Sequence, residues 1–376
     1  MKSLIISAFI ISCLTFFSLH PKGSTSGRSD YANEMVNEAT TSSIRIVFAG
    51  DVMGHSTQIT GAWRDGGDSC YNYMPNFQWI KTYISSADIA VANLEVTLAG
   101  EPYTGYPAFS SPVALATALQ DAGFNLLVTA NNHILDRGIT GLKRTLETLE
   151  SLEIANTGAF KDSFDRETNY PLIIQKNGFK LAFLNYTYGT NIPPTKSPFI
   201  VNIIDTIQIA NDLSKSRRME ADYIITCIHW GEEYKNKENE AQRRTADFLA
   251  RHGCNLIVGA HPHAIQPIKM IPGNMIDSTL VAFSLGNFVS NQRWRYSDGG
   301  IMLDITLTKT DGIVSLDTYH YEPFWVHRFP EKGVQVYRII PVIDYLSNPD
   351  HFPPMSDADE KSLIQFYKDT KEIMNH

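Results

Sequence analysis

What this sequence has little of narrows the field first. Cysteine is scarce: four residues among 376, at positions 13, 70, 227 and 254, without any C-x-x-C spacing. That pattern encodes neither a disulfide framework nor a paired-cysteine metal site, and Cys227 and Cys254 read as small core hydrophobes inside apolar runs. Charged residues make up only 19% of the chain, below the ~25% usual for soluble domains, which excludes a disordered polyelectrolyte. Long Lys/Arg blocks are missing and the net charge is −8, which argues against nucleic acid as a partner. Gly (24) and Pro (18) stay at ordinary levels, so collagen-like and low-complexity classes drop out. No repeat with a period of 20–50 residues marks a solenoid or propeller. No apolar run reaches the roughly 20 residues of a membrane-spanning helix.

What is there begins with an address. Met1-Lys2 precedes an apolar run from Leu4 to Leu19, short for a span but suited to a secretory signal. Ile10-Ile11-Ser12-Cys13 resembles a bacterial lipobox, in which Cys13 becomes the lipidated residue. A lipid anchor through Cys13, a cleaved signal and an uncleaved membrane anchor all remain open, and each exports the chain to the cell envelope. The expected organisation is a signal or lipoprotein segment over 1–20 and a flexible tether over 21–43. One large domain over 44–321 and a C-terminal extension over 322–376, packed on that domain, follow. With 43% hydrophobic residues a sizeable core is available.

Short apolar runs alternate with helical patterns from Ile44 onward. Ile44–Ala49, Asp88–Ala92, Phe124–Ala130, Tyr223–Ile228 and Asn255–Gly259 read as buried strands, and Pro112–Ala122, Ile139–Glu150 and Asn239–His252 as amphipathic helices. That alternation predicts an α/β layout with a largely parallel sheet. Leu172–Gln175, Leu181–Tyr186, Ile265–Met270, Leu280–Leu285, Ile301–Leu307 and Ile313–Tyr319 add strands of a second kind. Asn177-Gly178 and Asp311-Gly312 turns join some of them as hairpins, so the sheets are expected to be mixed. A polar helix is expected near Asp357–Ile373.

The chemistry gathers where the buried strands end. Asp51 closes one, Asn93-Leu94-Glu95 a second, Asn131-Asn132-His133 a third, His229 a fourth and His261-Pro262-His263 a fifth. Neighbouring parallel strands share one carboxyl edge, and ligands bind there. A lone histidine in an apolar context is more often a hydrogen-bonded core residue, and His252, His320, His327 and His351 take that reading. Five polar strand ends in one chain are harder to explain that way. Carboxylate, amide and imidazole together suit Zn, Mn or Fe better than Ca or Mg, with enough candidates for two ions. His261 and His263 point the same way if the chain between them is extended.

These segments carry a resemblance. Gly50-Asp51-Val52-Met53, Ala92-Asn93-Leu94-Glu95, Asn131 through Gly138, Asn185 through Asn191, His229-Trp230-Gly231, Gly259 through His263 and Phe283 through Phe288 resemble the bacterial poly-γ-glutamate capsule-synthesis family of the CapA type. That family lies within the calcineurin-like metallophosphoesterases. The resemblance implies a four-layer α/β/β/α sandwich with mixed sheets and a dinuclear site. In it, Asp51 and His263 would ligate the first metal, Asn132, His229 and His261 the second, and Asn93 or Glu95 would bridge them. His133 would be the acid or phosphate-stabilising group. Met53 stands where phosphoesterases of this type carry a histidine, with His55 as its candidate substitute, and Ala92-Asn93 stands where they carry Gly-Asp.

Arg137, Arg293 and Arg295 are candidates for an anionic substrate group. Trp63, Tyr71, Tyr73, Trp230, Tyr234, Trp294 and Tyr296 could form an aromatic platform for sugar or peptide. Two functions fit. One is an exported metal-dependent hydrolase of phosphoesters in capsule biosynthesis. The other is a non-catalytic envelope component that holds an anionic polymer, poly-γ-glutamate for example, beside other capsule-synthesis proteins.

Overall fold

A computed structural model describes residues 41–193 and 198–375. The Leu4–Leu19 run, Cys13 and residues 21–40 of the expected tether lie outside the described residues.

Sixteen strands form three sheets among the described residues. In chain order they are β1 (Thr41–Val52), β2 (Ile89–Leu94), β3 (Leu126–Val128), β4 (Ala155–Thr157), β5 (Ala159–Phe160) and β6 (Leu172–Lys176). There follow β7 (Phe179–Thr187), β8 (Ile200–Val201), β9 (Tyr223–His229), β10 (Leu256–Ala260) and β11 (Ile265–Pro272). The last are β12 (Ser278–Leu285), β13 (Asn287–Val289), β14 (Gly299–Thr310), β15 (Ile313–Glu331) and β16 (Val334–Pro341). The first sheet runs β16-β15-β14-β1-β2-β3-β4, with β13 also paired to β1; the second runs β11-β12-β10-β9-β7-β6; β5 and β8 make a two-stranded ribbon. Pairing is parallel along β1-β2-β3-β4 and along β7-β9-β10-β12, and antiparallel at the flanks. The antiparallel flanks follow from local turn chemistry. Asn177-Gly178 and Asp311-Gly312 both take positive φ, as a two-residue hairpin turn requires, and connect β6 to β7 and β14 to β15.

Alternation along the strands builds the layers. Ile44, Ile46 and Phe48 of β1 join Leu181, Phe183, Ile225 and Val258 of the second sheet in one buried cluster between the sheets. Val47 and Ala49 point the other way, into a second cluster with Leu115, Leu119 and Ala122 of the helix Val113–Ala122. The outer face of the second sheet buries Leu184, Ile224 and Ile257 against Ile209, Leu213, Ala246 and Leu249 of the helices Thr206–Arg218 and Glu240–Arg251. Helix, sheet, sheet, helix is therefore the layer order, the α/β/β/α sandwich the resemblance implied. Helix limits follow their caps. Asn239 and Gln242 exchange side-chain and backbone bonds at 2.9 Å to open Glu240–Arg251, and Gly123 at φ +112 closes Val113–Ala122.

Two expected boundaries move. Thr41, Ser42 and Ser43 are strand and not tether, because they pair with Thr310, Lys309 and Thr308. The boundary at 321/322 falls inside β15, so the C-terminal segment is part of the first sheet and not an appendage. Its closing helix, Asp357–Met374, sends Leu363, Phe366 and Ile373 into the core between the sheets.

Candidate metal centre

The carboxyl ends of the two parallel strand sets deliver the polar residues to one place. In the first sheet, Asp51 is in register with Asn93 on one side and Asn287 on the other. In the second, His229 is in register with Ala260, which leads directly into His261. Close approach is built into the backbone. A Cβ on Gly50 would lie 2.0 Å from the Gly286 carbonyl oxygen, so glycine lets the Asp51 amide reach that oxygen at 3.0 Å. Asn185 of β7 ties the two sheets together behind the cluster. Its Oδ1 accepts from the amides of Thr129 (3.1 Å) and Ala130 (2.6 Å), and its Nδ2 donates to Cys227 O at 3.1 Å.

Two groups of potential ligand atoms result, each within 4.8 Å: Asp51, Glu95 and His229, and Glu95, His261 and His263. All five residues are buried. Glu95 belongs to both groups. Among the described residues neither of its oxygens has a hydrogen-bond partner, although His229 Nε2 lies 3.3 Å from Oε1. Asn93, the other residue considered for the shared position, spends its amide differently. Its Nδ2 donates to Asp51 Oδ1 at 2.8 Å and faces His229 Nδ1 at 3.1 Å, and its Oδ1 accepts from Asn131 at 3.3 Å. Asn132 Oδ1 stands 2.7 Å from His229 Nε2.

Electrostatics in the cluster is set by burial and by the neighbours. Burial alone would raise the Asp51 carboxyl, but the bond and charge of His263, the His229 field and the Asn93 bond hold it well below the usual range. Glu95 is pushed far up, by burial first and then by the Asp51 charge. Burial brings His229 down to about 3 and His261 down to about 2. His263 goes the other way, up to about 9, because the Glu95 charge and the Asp51 bond outweigh its burial. A cluster of buried carboxyl groups and imidazoles, with atoms of Glu95 and His261 Nδ1 unpartnered among the described residues, fits a divalent cation.

His133 sits at the margin of the cluster. Its Nδ1 lies 2.7 Å from Asp136 Oδ2, which also accepts from the Phe109 amide at 2.9 Å. Burial would lower this imidazole, yet the Asp136 bond and the charges of Glu95 and Asp136 raise it.

Several expectations need correction. The 261–263 loop is not extended: His261 has φ +98 and His263 φ +54, conformations that strain an L residue. The loop is held by the His261 amide facing Asp51 Oδ2 at 3.2 Å and by the Tyr234 amide donating to Pro262 O at 2.7 Å. Trp230 is not at a substrate surface; it is 2% exposed and its indole donates to Phe283 O within the core. Tyr73 is equally buried. Arg293 donates to Val326 O and lies over the Trp325 ring, Arg295 pairs with Asp369, and Arg137 donates to Thr104 Oγ1 at 3.1 Å. Met53 is buried in the helix-side core, and His55 engages Gln58 Oε1 and the Asn291 amide through its Nδ1. Asp136 and Asn287 belong to the site although the sequence reading does not single them out. Asn287 Oδ1 faces His263 Nδ1 at 3.0 Å, and its signal is its place in register with Asp51.

Fold and site together define an α/β sandwich protein with a candidate divalent-metal centre at the shared edge of its sheets. The chain belongs to the bacterial capsule synthesis protein family PGA_cap, which it matches over residues 45–292. It is 27% identical over 304 residues to the PGA biosynthesis protein CapA of Bacillus subtilis (strain 168), covering 78% of this chain and 72% of that protein. To the capsule biosynthesis protein CapA of Bacillus anthracis it is 25% identical over 311 residues, covering 79% and 67%. Among solved structures it is similar to the calcineurin-like phosphoesterase YfkN from Bacillus subtilis, with TM-score 0.46, 14% identity, and 90% of this chain and 100% of that chain covered. It is also similar to the Haemophilus influenzae NAD nucleotidase, with TM-score 0.45, 14% identity and 88% of this chain covered; the chain spans 60% of that protein's length.

Proposed function

We propose that this protein is a metal-dependent phosphoesterase of the cell envelope that works in capsule or exopolymer assembly. The observation that carries this reading is Glu95, a buried carboxylate without a hydrogen bond that is shared by two three-residue ligand groups. Asp51, Glu95 and His229 would hold one divalent ion, and Glu95, His261 and His263 a second; Mn, Zn or Fe suits the donor mix. When bound, such ions polarise a phosphoryl oxygen and acidify a water for attack. The chain's own residues do the rest. His133, its Nδ1 fixed by Asp136, carries a proton for the leaving alkoxide, and the deprotonated imidazole regains one from solvent. Asn93 faces His229 at Nδ1, and Nε2, beside Asn132 Oδ1 and 3.3 Å from Glu95 Oε1, is the nitrogen that would face the ion. Export through the Leu4–Leu19 run, with Cys13 as the lipidation point, would place this site outside the cytoplasm. The names of both Bacillus relatives support a role in capsule biosynthesis.

A second reading is a binder of an anionic polymer without turnover. It is favoured by Met53, which offers neither nitrogen nor oxygen, and by the small number of ligands in each group. Elemental analysis of the mature protein, read beside turnover of phosphomonoesters and phosphodiesters with Mn or Zn, separates the two. Two-metal occupancy with hydrolysis is the expected result. An inactive protein that binds poly-γ-glutamate sinks the phosphoesterase reading.

A further inference from the structure

Exposed aromatic rings stand around the mouth of the cluster, on four separate loops. Tyr188 follows β7, Tyr234 follows β9, Trp294 follows β13 and Tyr106 follows β2; they are 48%, 39%, 51% and 73% exposed. Tyr188 lies 4.6 Å from the His261 ring and, nearly parallel, 6.2 Å from His229. Tyr234 lies 6.0 Å from the His263 ring, with Trp294 edge-on to it at 5.0 Å. Tyr106 flanks Phe109, whose ring meets His133 edge-on at 4.7 Å. Rings left facing water beside a polar cluster mark a surface that receives something.

The placement of Tyr234 is costly in backbone terms. Its φ of +63 is left-handed, which a bulky L residue avoids, and its amide is anchored on Pro262 between the two histidines. Its chain neighbour Glu233 is exposed beside it. A carboxylate at the mouth repels a polycarboxylate and accepts hydrogen bonds from hydroxyl groups.

We propose that these rings receive the alcohol part of the substrate, and that this part is a sugar whose apolar face stacks on Tyr188 and Tyr234 while its hydroxyls meet Glu233. The proposal rests on the phosphoesterase reading and names its substrate class, a sugar phosphoester. It also sets poly-γ-glutamate, which has no ring and repels Glu233, apart from the ligand of this mouth.

The test compares glucose 1-phosphate, adenosine monophosphate and glycerol 3-phosphate on the metal-loaded full chain. Glucose 1-phosphate is expected to have the highest kcat/KM. Its ratio to glycerol 3-phosphate should fall about tenfold in Tyr234→Ala and in Tyr188→Ala, and return in Tyr234→Phe, which keeps the ring. An unchanged ratio in both alanine variants overturns the proposal, as does preference for adenosine monophosphate, which would make the stacked ring a base. If none of the three is hydrolysed, the phosphoesterase reading fails by itself. Ring preference is then read from tryptophan-fluorescence titration with the same compounds. Tighter binding of glucose 1-phosphate that weakens in Tyr234→Ala supports the sugar mouth, and equal affinities overturn it.

Discussion

Burying a carboxylate with no hydrogen bond is strongly unfavourable, and Glu95 is held that way between Asp51 and the histidines. A cation removes the conflict, which makes two outcomes separable. Glu95→Gln should abolish the rise in melting temperature on adding Mn or Zn, a gain of about 2.7 kcal/mol at a hundredfold excess over Kd. It should not lower the melting temperature of the metal-free protein, because burial and the Asp51 charge already push this carboxyl toward its neutral form, which glutamine matches in shape. Calorimetry with and without metal reads both. A metal-free variant much less stable than the parent would show that Glu95 serves the fold itself. His133 is expected to divide binding from chemistry. His133→Ala should reduce turnover roughly 10²–10⁴-fold with metal content unchanged, and parallel loss of metal would place it among the ligands instead. At this scale the sequence is readable where a strand ends in a charged or imidazole residue, as at Asp51, His229 and His261. It is not readable where partners come from distant loops. Asn287 takes its role only after the 263 and 287 segments meet, whereas Asp136 lies three residues from His133 in the same loop; the indole of Trp230 turns into the core because Phe283 O is there to accept from it.

Strands and helices follow local pattern, which is why their positions can be read from alternation, caps and turn residues. The long β15 is the exception. Its first half is exposed or half-buried, whereas Pro323 to His327 are buried, with Trp325 packed in one cluster with Leu363 and Phe366 from a helix some forty residues later. The sequence pattern ends one strand at Tyr319 and starts a separate extended stretch at about Glu322, without joining them into one element. Glu322 sits at the change. It is paired across the sheet with Met302, and burial, with the charge of Asp344 added, raises its carboxyl to about 7. A carboxyl raised in the folded state binds its proton more tightly there than in the unfolded chain. Stability from this residue is therefore fully present below the ordinary carboxyl range and is lost as pH rises toward 7. Glu322→Gln, which keeps the neutral form, should melt about 1–3 °C above the parent at pH 8. The two proteins should converge near pH 4. Identical curves across that window would show that Glu322 is ionised in the fold without penalty.

At the scale of the molecule the question is how two sheets built by separate stretches of chain keep one site in register. The core between them is apolar and non-directional: Phe48, Val91, Leu181 and Ile225 exclude water without fixing where one sheet edge lies relative to the other. Asn185 supplies direction. It is 1% exposed, sits on β7 of the second sheet, and bonds two amides at the end of β3 in the first as well as the Cys227 carbonyl of β9. The amides it holds, those of Thr129 and Ala130, immediately precede Asn131-Asn132-His133, so the loop that carries the candidate acid is aimed from the opposite sheet. Asn185→Ala removes three side-chain bonds; the Thr129 amide keeps Thr157 O at 2.9 Å, whereas the Ala130 amide loses its acceptor, at about 1–3 kcal/mol for the buried group left unpaired. A loss of about 1–3 kcal/mol is expected in denaturant unfolding. Because the damage falls on the loop after β3, turnover should drop further than metal content, as the ligands of the 261–263 loop are held independently by Asp51 and Tyr234. Asn185→Asp tests the same point from the other side. It keeps an acceptor for the two amides and loses the donor to Cys227 O, so it should retain more turnover than the alanine variant. Equal loss in both would mean that aiming the 131–133 loop does not depend on the bonds from Asn185 to Thr129 and Ala130.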